Sequence, residues 1–298
     1  MIRQQISFFM INLLAVTVFV AASTSFAEES CSNDIQECAN NYDTSSSSVP
    51  AVPPGGMFKF DDDLWDTSKG NKVDMEKVRR IIGCPKVEEF GTFDDNPYIY
   101  SSRIPTEENT WRHMYEAYHA AVPPHEASIP KQYDPTAFVQ PIKIQVAAIV
   151  GRGIRTTEFI PKGTLVWRPR NAAEFRRVED LRKFLEHILT YSTYEVACDA
   201  LLWSYTSRAS PKENDYILCI DMDEGSLINV ADDDDELNLA QTLERIDDKE
   251  RTVYGCQTGS LYATRDIEAG EELRMDYGDF AEADGFGVLG IDMTEQSF

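Results

Sequence analysis

Three short stretches hold residues whose types and spacing suit chemistry on a bound ligand. Gly151-Arg152-Gly153 follows an alternating apolar run, and glycines there let bare backbone approach a ligand closely. Leu227-Ile228-Asn229 precedes an acidic run, with Val230 as the next residue. Tyr277 closes Glu271-Glu272-Leu273-Arg274-Met275-Asp276-Tyr277-Gly278. A phenol there is a hydrogen-bonding group that stays neutral, with an ordinary pKa of about 10. Each stretch also has a plainer reading: Gly-x-Gly as an ordinary turn, Tyr277 as a core tyrosine at a strand's end. The first is not a dinucleotide fingerprint, because the third glycine is absent and a Pro-Gly hairpin follows instead of a helix.

The elements that must position these residues are two look-alike segments, Gly151 to Val166 and Thr258 to Leu273. Each reads as a short strand, a polar step, an isoleucine (Ile160, Ile267), a turn ending in glycine (Gly163, Gly270) and a second strand. Before them, Ile142, Ile144 and Val146 alternate with Lys143 and Gln145 as a half-buried strand. Between them, Leu181, Phe184, Leu185, Ile188 and Leu189 share one face of a helix over Arg182 to Leu189. A second helix is expected over Thr193 to Tyr205, and a strand over Tyr216 to Ile220.

In that order, the pieces resemble the SET domain of protein-lysine methyltransferases over roughly Ile142 to Phe280, about half of the chain. The resemblance implies a β-rich α+β fold of small sheets and hairpins, with a C-terminal pseudo-knot and an inserted helical segment. It also implies S-adenosylmethionine as cofactor, lined by Arg152, Gly153, Asn229 and Val230, and Tyr277 orienting donor and amine. The activity implied is methylation of a protein lysine. The chain departs from the family at the knot, where Asn-His-Ser-Cys is replaced by Asn229-Val230-Ala231-Asp232 and the next step by Asp233-Asp234-Asp235-Glu236, with Asn238 as a remnant. Zinc-binding cysteines that close the lysine channel in many nuclear members are absent, so Phe286 or another aromatic is expected to close it. The degraded stretch leaves a second reading open, a secreted or lumenal SET-like interaction module without methyl transfer.

Other chemistries find less support. Asp221-Met222-Asp223-Glu224-Gly225 begins like a calcium loop, but its glycine comes one place early and flanking helices are missing. His113, His119, His125 and His187 lack metal spacing, and no metal is expected. Nothing resembles a Gly-x-Ser-x-Gly elbow.

A net charge of −23 excludes nonspecific nucleic-acid binding and fits attraction to a basic protein substrate. Arg3, the apolar run Ile6 to Ala22 and Ser25-Phe26-Ala27 read as a signal peptide cleaved after Ala27, leaving no membrane segment and a secreted or lumenal protein. Alternatives are a retained signal anchor, or a complex plastid, against which Glu28-Glu29 speak. The expected organisation is signal peptide 1–27, disordered Ser/Pro linker 28–56, N-terminal helical extension 57–140, SET domain 141–280 and acidic tail 281–298. In the extension, helices are expected over Val73 to Ile82, stopped by Gly83, and over Trp111 to Ala121. Cys31 and Cys38 are placed to close a short loop, and Cys84, Cys198, Cys219 and Cys256 are expected as buried thiols.

Overall fold

The computed structural model describes residues 56–68, 70–84, 104–147, 151–231, 235–241, 254–256 and 259–293. All fall within one compact unit, Ser47–Phe298. The expected signal peptide, nearly all of the linker and the Cys31/Cys38 pair lie outside the described residues. Among the described residues, no helix is long and apolar enough to cross a membrane.

The chain runs α1 (Asp62–Trp65), β1 (Val73–Asp74), α2 (Met75–Ile82), α3 (Arg112–Ala121), β2 (Ile142–Ala147), β3 (Gly151–Thr156), β4 (Leu165–Trp167) and β5 (Ala172–Phe175). It continues through α4 (Val178–Tyr191), α5 (Tyr194–Leu202), β6 (Ser204–Arg208), β7 (Tyr216–Asp221), β8 (Asn229–Val230), β9 (Leu239–Ala240), β10 (Leu261–Ala263), β11 (Arg274–Met275), α6 (Asp284–Val288) and β12 (Ile291–Asp292). Small sheets mixed with helices make this an α+β fold.

Local sequence explains the helices that frame the site. Asp74 caps α2 by accepting from the Lys77 amide, and Gly83 ends it at φ 89°, a left-handed conformation that glycine adopts freely. In α4, Leu181, Phe184, Leu185 and Ile188 are buried at helical spacing. They meet Met114, Tyr118 and Ala121 of α3 in one apolar core. The helix expected to run on to Tyr205 stops at Leu202, because Ser204–Arg208 is recruited as β6 against β7.

The N-terminal extension is not a separate layer. Its Trp65, Val78, Ile82 and Trp111 share that core with α4, α5 and β7. Residues 281–293 of the expected tail are folded as well: β12 pairs in parallel with β1 (Val73 opposite Ile291), and Phe286 is buried in the same core.

The buried-thiol expectation is corrected for all four described cysteines. Cys84 is bonded to Cys198 and Cys219 to Cys256. The first pair, 114 residues apart, joins the end of α2 to α5. No local spacing could have disclosed it.

The two look-alike segments pair with each other. Ile160 and Ile267 exchange backbone hydrogen bonds of 2.9 Å in both directions. On either side, Gly163 N donates to the Ala263 carbonyl (2.8 Å) and Gly270 N to the Thr156 carbonyl (2.8 Å). Gly163 and Gly270 have φ of 83° and 87°, which explains why both turns end in glycine. Their isoleucines, with Ile154, Val166, Leu261 and Leu273, form a second core under the site.

Candidate functional site

The site is built around a threaded strand. In the five-stranded sheet the order is β4-β10-β9-β11-β8, and β11 runs parallel to both β8 and β9. Strand β11 therefore passes between β8 and β9, which follow one another among the described strands. This is the knot that the family resemblance implied, formed without the histidine and cysteine that the family uses there.

Asn238 explains how it holds. Its side chain is buried and bridges the threaded segment at three points. Oδ1 accepts from Arg274 N (2.9 Å), and Nδ2 donates to the Glu272 carbonyl (2.7 Å) and to Glu271 Oε1 (3.2 Å). Arg274 in turn pairs with Glu236, in the acidic run, and with Glu272. Part of the acidic insertion thus answers a charge on the threaded strand.

Asn229 braces the other side. Its Nδ2 donates to the Arg152 carbonyl (3.2 Å) and to Glu272 Oε1 (2.9 Å). Gly153 lies directly beneath: a Cβ there would sit 2.7 Å from Glu272 Oε1 and 2.9 Å from Asn229 Nδ2. A larger residue here would push the ends of the Glu272 and Asn229 side chains aside. Val230, opposite Met275 in the sheet, leaves its side chain 42% exposed. Gly153, Asn229 and Val230 therefore come together at one edge of the knot.

The Gly151-Arg152-Gly153 stretch is not a turn. It opens β3 and pairs with β2, Gln145 opposite Gly153. Strand alternation sends the Arg152 side chain inward, where its guanidinium meets Asp199 of α5 through two bonds of 3.1 and 2.6 Å. It also lies over the Trp203 ring at 5.0 Å. Arg152 joins the Asn229 cluster through its carbonyl, while its charge is spent inside.

Tyr277 lies on the far side of the same segment. It is 37% exposed, yet its hydroxyl donates to the Ile228 carbonyl at 2.9 Å, one residue before Asn229. Burial of the phenol, helped by the nearby Asp221 carboxyl, pushes its pKa up to about 12. It remains a neutral hydrogen-bonding group throughout the physiological range.

Beside Tyr277 is a cavity of about 260 Å³. Its walls include Trp203, Tyr205, Ile228, Met275, Phe280 and Phe286. The Phe280 ring stands edge-on to Tyr205 at 4.8 Å and to Tyr277 at 5.6 Å. Phe286, singled out as an aromatic to close a channel, is in this wall, held by α6.

Sequence reasoning missed Tyr205, Phe280 and Asp221. A faint signal existed in Tyr216 to Asp221, where an apolar strand ends in a carboxylate. Among the described residues, no group of three or more metal-ligating side chains is assembled.

The comparisons with known proteins bear on this geometry. Residues 151–278 match the family model of the SET domain. Among solved structures, a Plasmodium falciparum protein assigned as a histone methyltransferase is 16% identical at a TM-score of 0.27, covering 47% of this chain and 94% of its own. A SET8 protein of Cryptosporidium is 24% identical at a TM-score of 0.29, covering 47% of this chain and 58% of its own. At those scores the two likenesses carry no weight of their own. No curated protein matches the chain. The family match spans both look-alike segments, the threaded strand and Tyr277, and on it residues 151–278 are similar to the SET domain.

Proposed function

We infer that the chain is a protein-lysine methyltransferase that uses S-adenosylmethionine. The observation that carries this reading is the placement of Tyr277. Its hydroxyl is fixed on the Ile228 carbonyl, between the Gly153/Asn229 edge of the knot and an aromatic cavity.

The residues at the knot suit such a cofactor. Gly153 keeps the strand bare of a side chain, Val230 is open, and the Glu272 carboxylate offers a partner for a cationic amino group. Gly153 and Val230 backbone, with Asn229, would hold it. Arg152 would act from behind, as the prop of Trp203. The cofactor would supply an activated methyl group on a sulfonium. The protein's own task is then to align an unprotonated amine with that group and keep water out. A narrow apolar cavity beside a neutral phenol is suited to that task.

The substrate is read as a basic protein, from the strongly acidic chain, and nucleic acid is not among the expected partners. Two disulfides favour an oxidising compartment, which supports the secretory reading and speaks against a nuclear histone as substrate. A second reading, an interaction module without methyl transfer, has one observation in its favour. The Asn229 amide already bridges Arg152 and Glu272, and the Arg152 guanidinium is already paired.

The test is transfer of labelled methyl from S-adenosylmethionine to lysine-rich peptides. Wild-type protein should label them, and lysine-to-arginine peptides should stay unlabelled. Absence of any labelling by a protein that still binds the cofactor would favour the interaction module.

A further inference from the structure

The two disulfides sit in different settings. Cys219 and Cys256 are both buried, at 0% and 5% exposure, and Cys219 lies within β7, the central strand between β5 and β6. Cys84 is half-buried just past the end of α2, while its partner Cys198 is fully buried in α5. A thiolate must reach a sulfur along the bond it breaks, so access decides which disulfide opens first. The Cys84 end is the more open one.

Helix α5 is where that bond meets the site. Asp199, next to Cys198, is fully buried and holds the Arg152 guanidinium by bonds of 3.1 and 2.6 Å. Its carbonyl accepts from the Trp203 amide at 2.9 Å, and the guanidinium lies over the Trp203 ring at 5.0 Å. Asp199, Arg152 and Trp203 thus form one closed unit. It reaches the knot through the Arg152 carbonyl, which accepts from Asn229 Nδ2, and the aromatic cavity through Trp203. The helix that carries it is weakly built: α5 has nine residues, and Thr193 gives its N-terminus no side-chain cap. Val196, Ala197, Ala200 and Leu201 bury it in the core, and Cys198 ties it covalently to the N-terminal extension.

We propose that the Cys84–Cys198 bond is a redox lock on the Arg152–Asp199 pair, and through it on the Gly153/Asn229 edge. A dithiol reductant opens it in two steps. Its first thiolate attacks the Cys84 sulfur, the S–S bond breaks, and Cys198 leaves as a thiolate that takes a proton. Its second thiolate then displaces Cys84 from the mixed disulfide, and Cys84 takes the second proton. The reductant ends as a cyclic disulfide, two electrons and two protons having passed to the protein. With the bond open, α5 loses its tie to α2, Asp199 holds Arg152 less firmly, and the first residues of β3 loosen against Asn229. A plain staple acts differently: a bond closing a loop of this length, 114 residues, restrains the unfolded chain, and its loss weakens the whole fold alike. The inference rests on the methyl-transfer reading only for the identity of the ligand at that edge.

The test treats the full chain with dithiothreitol for increasing times. Thiols are mapped by alkylation after acid quenching and unfolding, and amide hydrogen exchange is followed at each stage. Cys84 and Cys198 should become alkylated first. In that half-reduced protein, the amides of Gly151–Thr156 should exchange at least about tenfold faster, while those of Ile160 and Ile267 stay within about twofold. Affinity for S-adenosylmethionine should fall about tenfold. Cys84→Ser should reproduce the faster exchange with no reductant. Opening of Cys219–Cys256 first overturns the proposal. So does unchanged exchange at Gly151–Thr156, an equal rise throughout the chain, or cofactor affinity that reduction leaves unchanged. Should Cys84→Ser fail to fold, the exchange pattern of the half-reduced wild type decides. If the oxidised protein binds no S-adenosylmethionine, the methyltransferase reading falls, and the exchange pattern still decides on the lock.

Discussion

The knot and the cavity share the segment 228–230, but they are held in opposite ways. On the knot side, polar groups are met. Asn238 makes three bonds to the threaded segment, Asn229 makes two, and Gly153 leaves room for them. On the cavity side, Asp221 has one long contact, and Tyr277 is tied to the same segment by a single bond. Saturated hydrogen bonding makes a rigid frame, whereas a buried group left short of partners is a place for a ligand. On the proposed reading, stability belongs to the knot and chemistry to the cavity.

That assignment can be broken by substitution. The largest effect is expected from Tyr277→Phe, which should lower methyl transfer by about 100- to 1,000-fold. Cofactor affinity should stay within about twofold, as calorimetry would report. Comparable turnover in the variant would remove Tyr277 from the reaction.

Next comes Asn238→Ala, expected to cost about 2–3 kcal/mol of stability because it strands buried backbone groups of the threaded segment. Asn229→Ala, at the more open edge, should cost about 1 kcal/mol in urea unfolding and weaken cofactor binding instead. Equal costs at both positions would erase the distinction between brace and binding edge.

A smaller effect follows from the buried carboxyls. Burial lifts Asp223 to about 6 despite its bonds from Asn171, Gly225 and Trp167, and Asp221 is raised in the same direction. The folded form therefore binds these protons more tightly than the unfolded chain. The stabilising contribution of Asp223 is complete below about pH 4 and is lost as pH rises through about 6. Asp223 alone should lower stability by roughly 1–2 kcal/mol between pH 5 and 7.5. Asp221→Asn should flatten the slope further still. An unchanged slope in that variant would mean that Asp221 is ionised already, contrary to its setting.

Much of the frame was legible before any coordinates. The repeated strand–isoleucine–turn–glycine pattern is local, and Gly163 and Gly270 carry it in their positive φ. The buried stripe of α4 follows from helical spacing alone. Asn238 was visible only as a remnant, because its worth lies in Arg274 and Glu272, more than 30 residues away. Arg152 was expected at the cofactor, yet strand alternation turned it to Asp199, on a helix whose approach the sequence does not announce. In the sequence, Asp221 is only the first residue of a stretch that begins like a calcium loop. Its burial comes from β6 and the C-terminal Phe280, which no short window brings together.

The account stands most directly on cofactor binding at the Gly153/Asn229 edge. Calorimetric titration of the disulfide-intact protein with S-adenosylmethionine should give saturable binding near one per chain, weakened about tenfold in Asn229→Ala. No detectable binding by the folded wild type would contradict the methyltransferase reading.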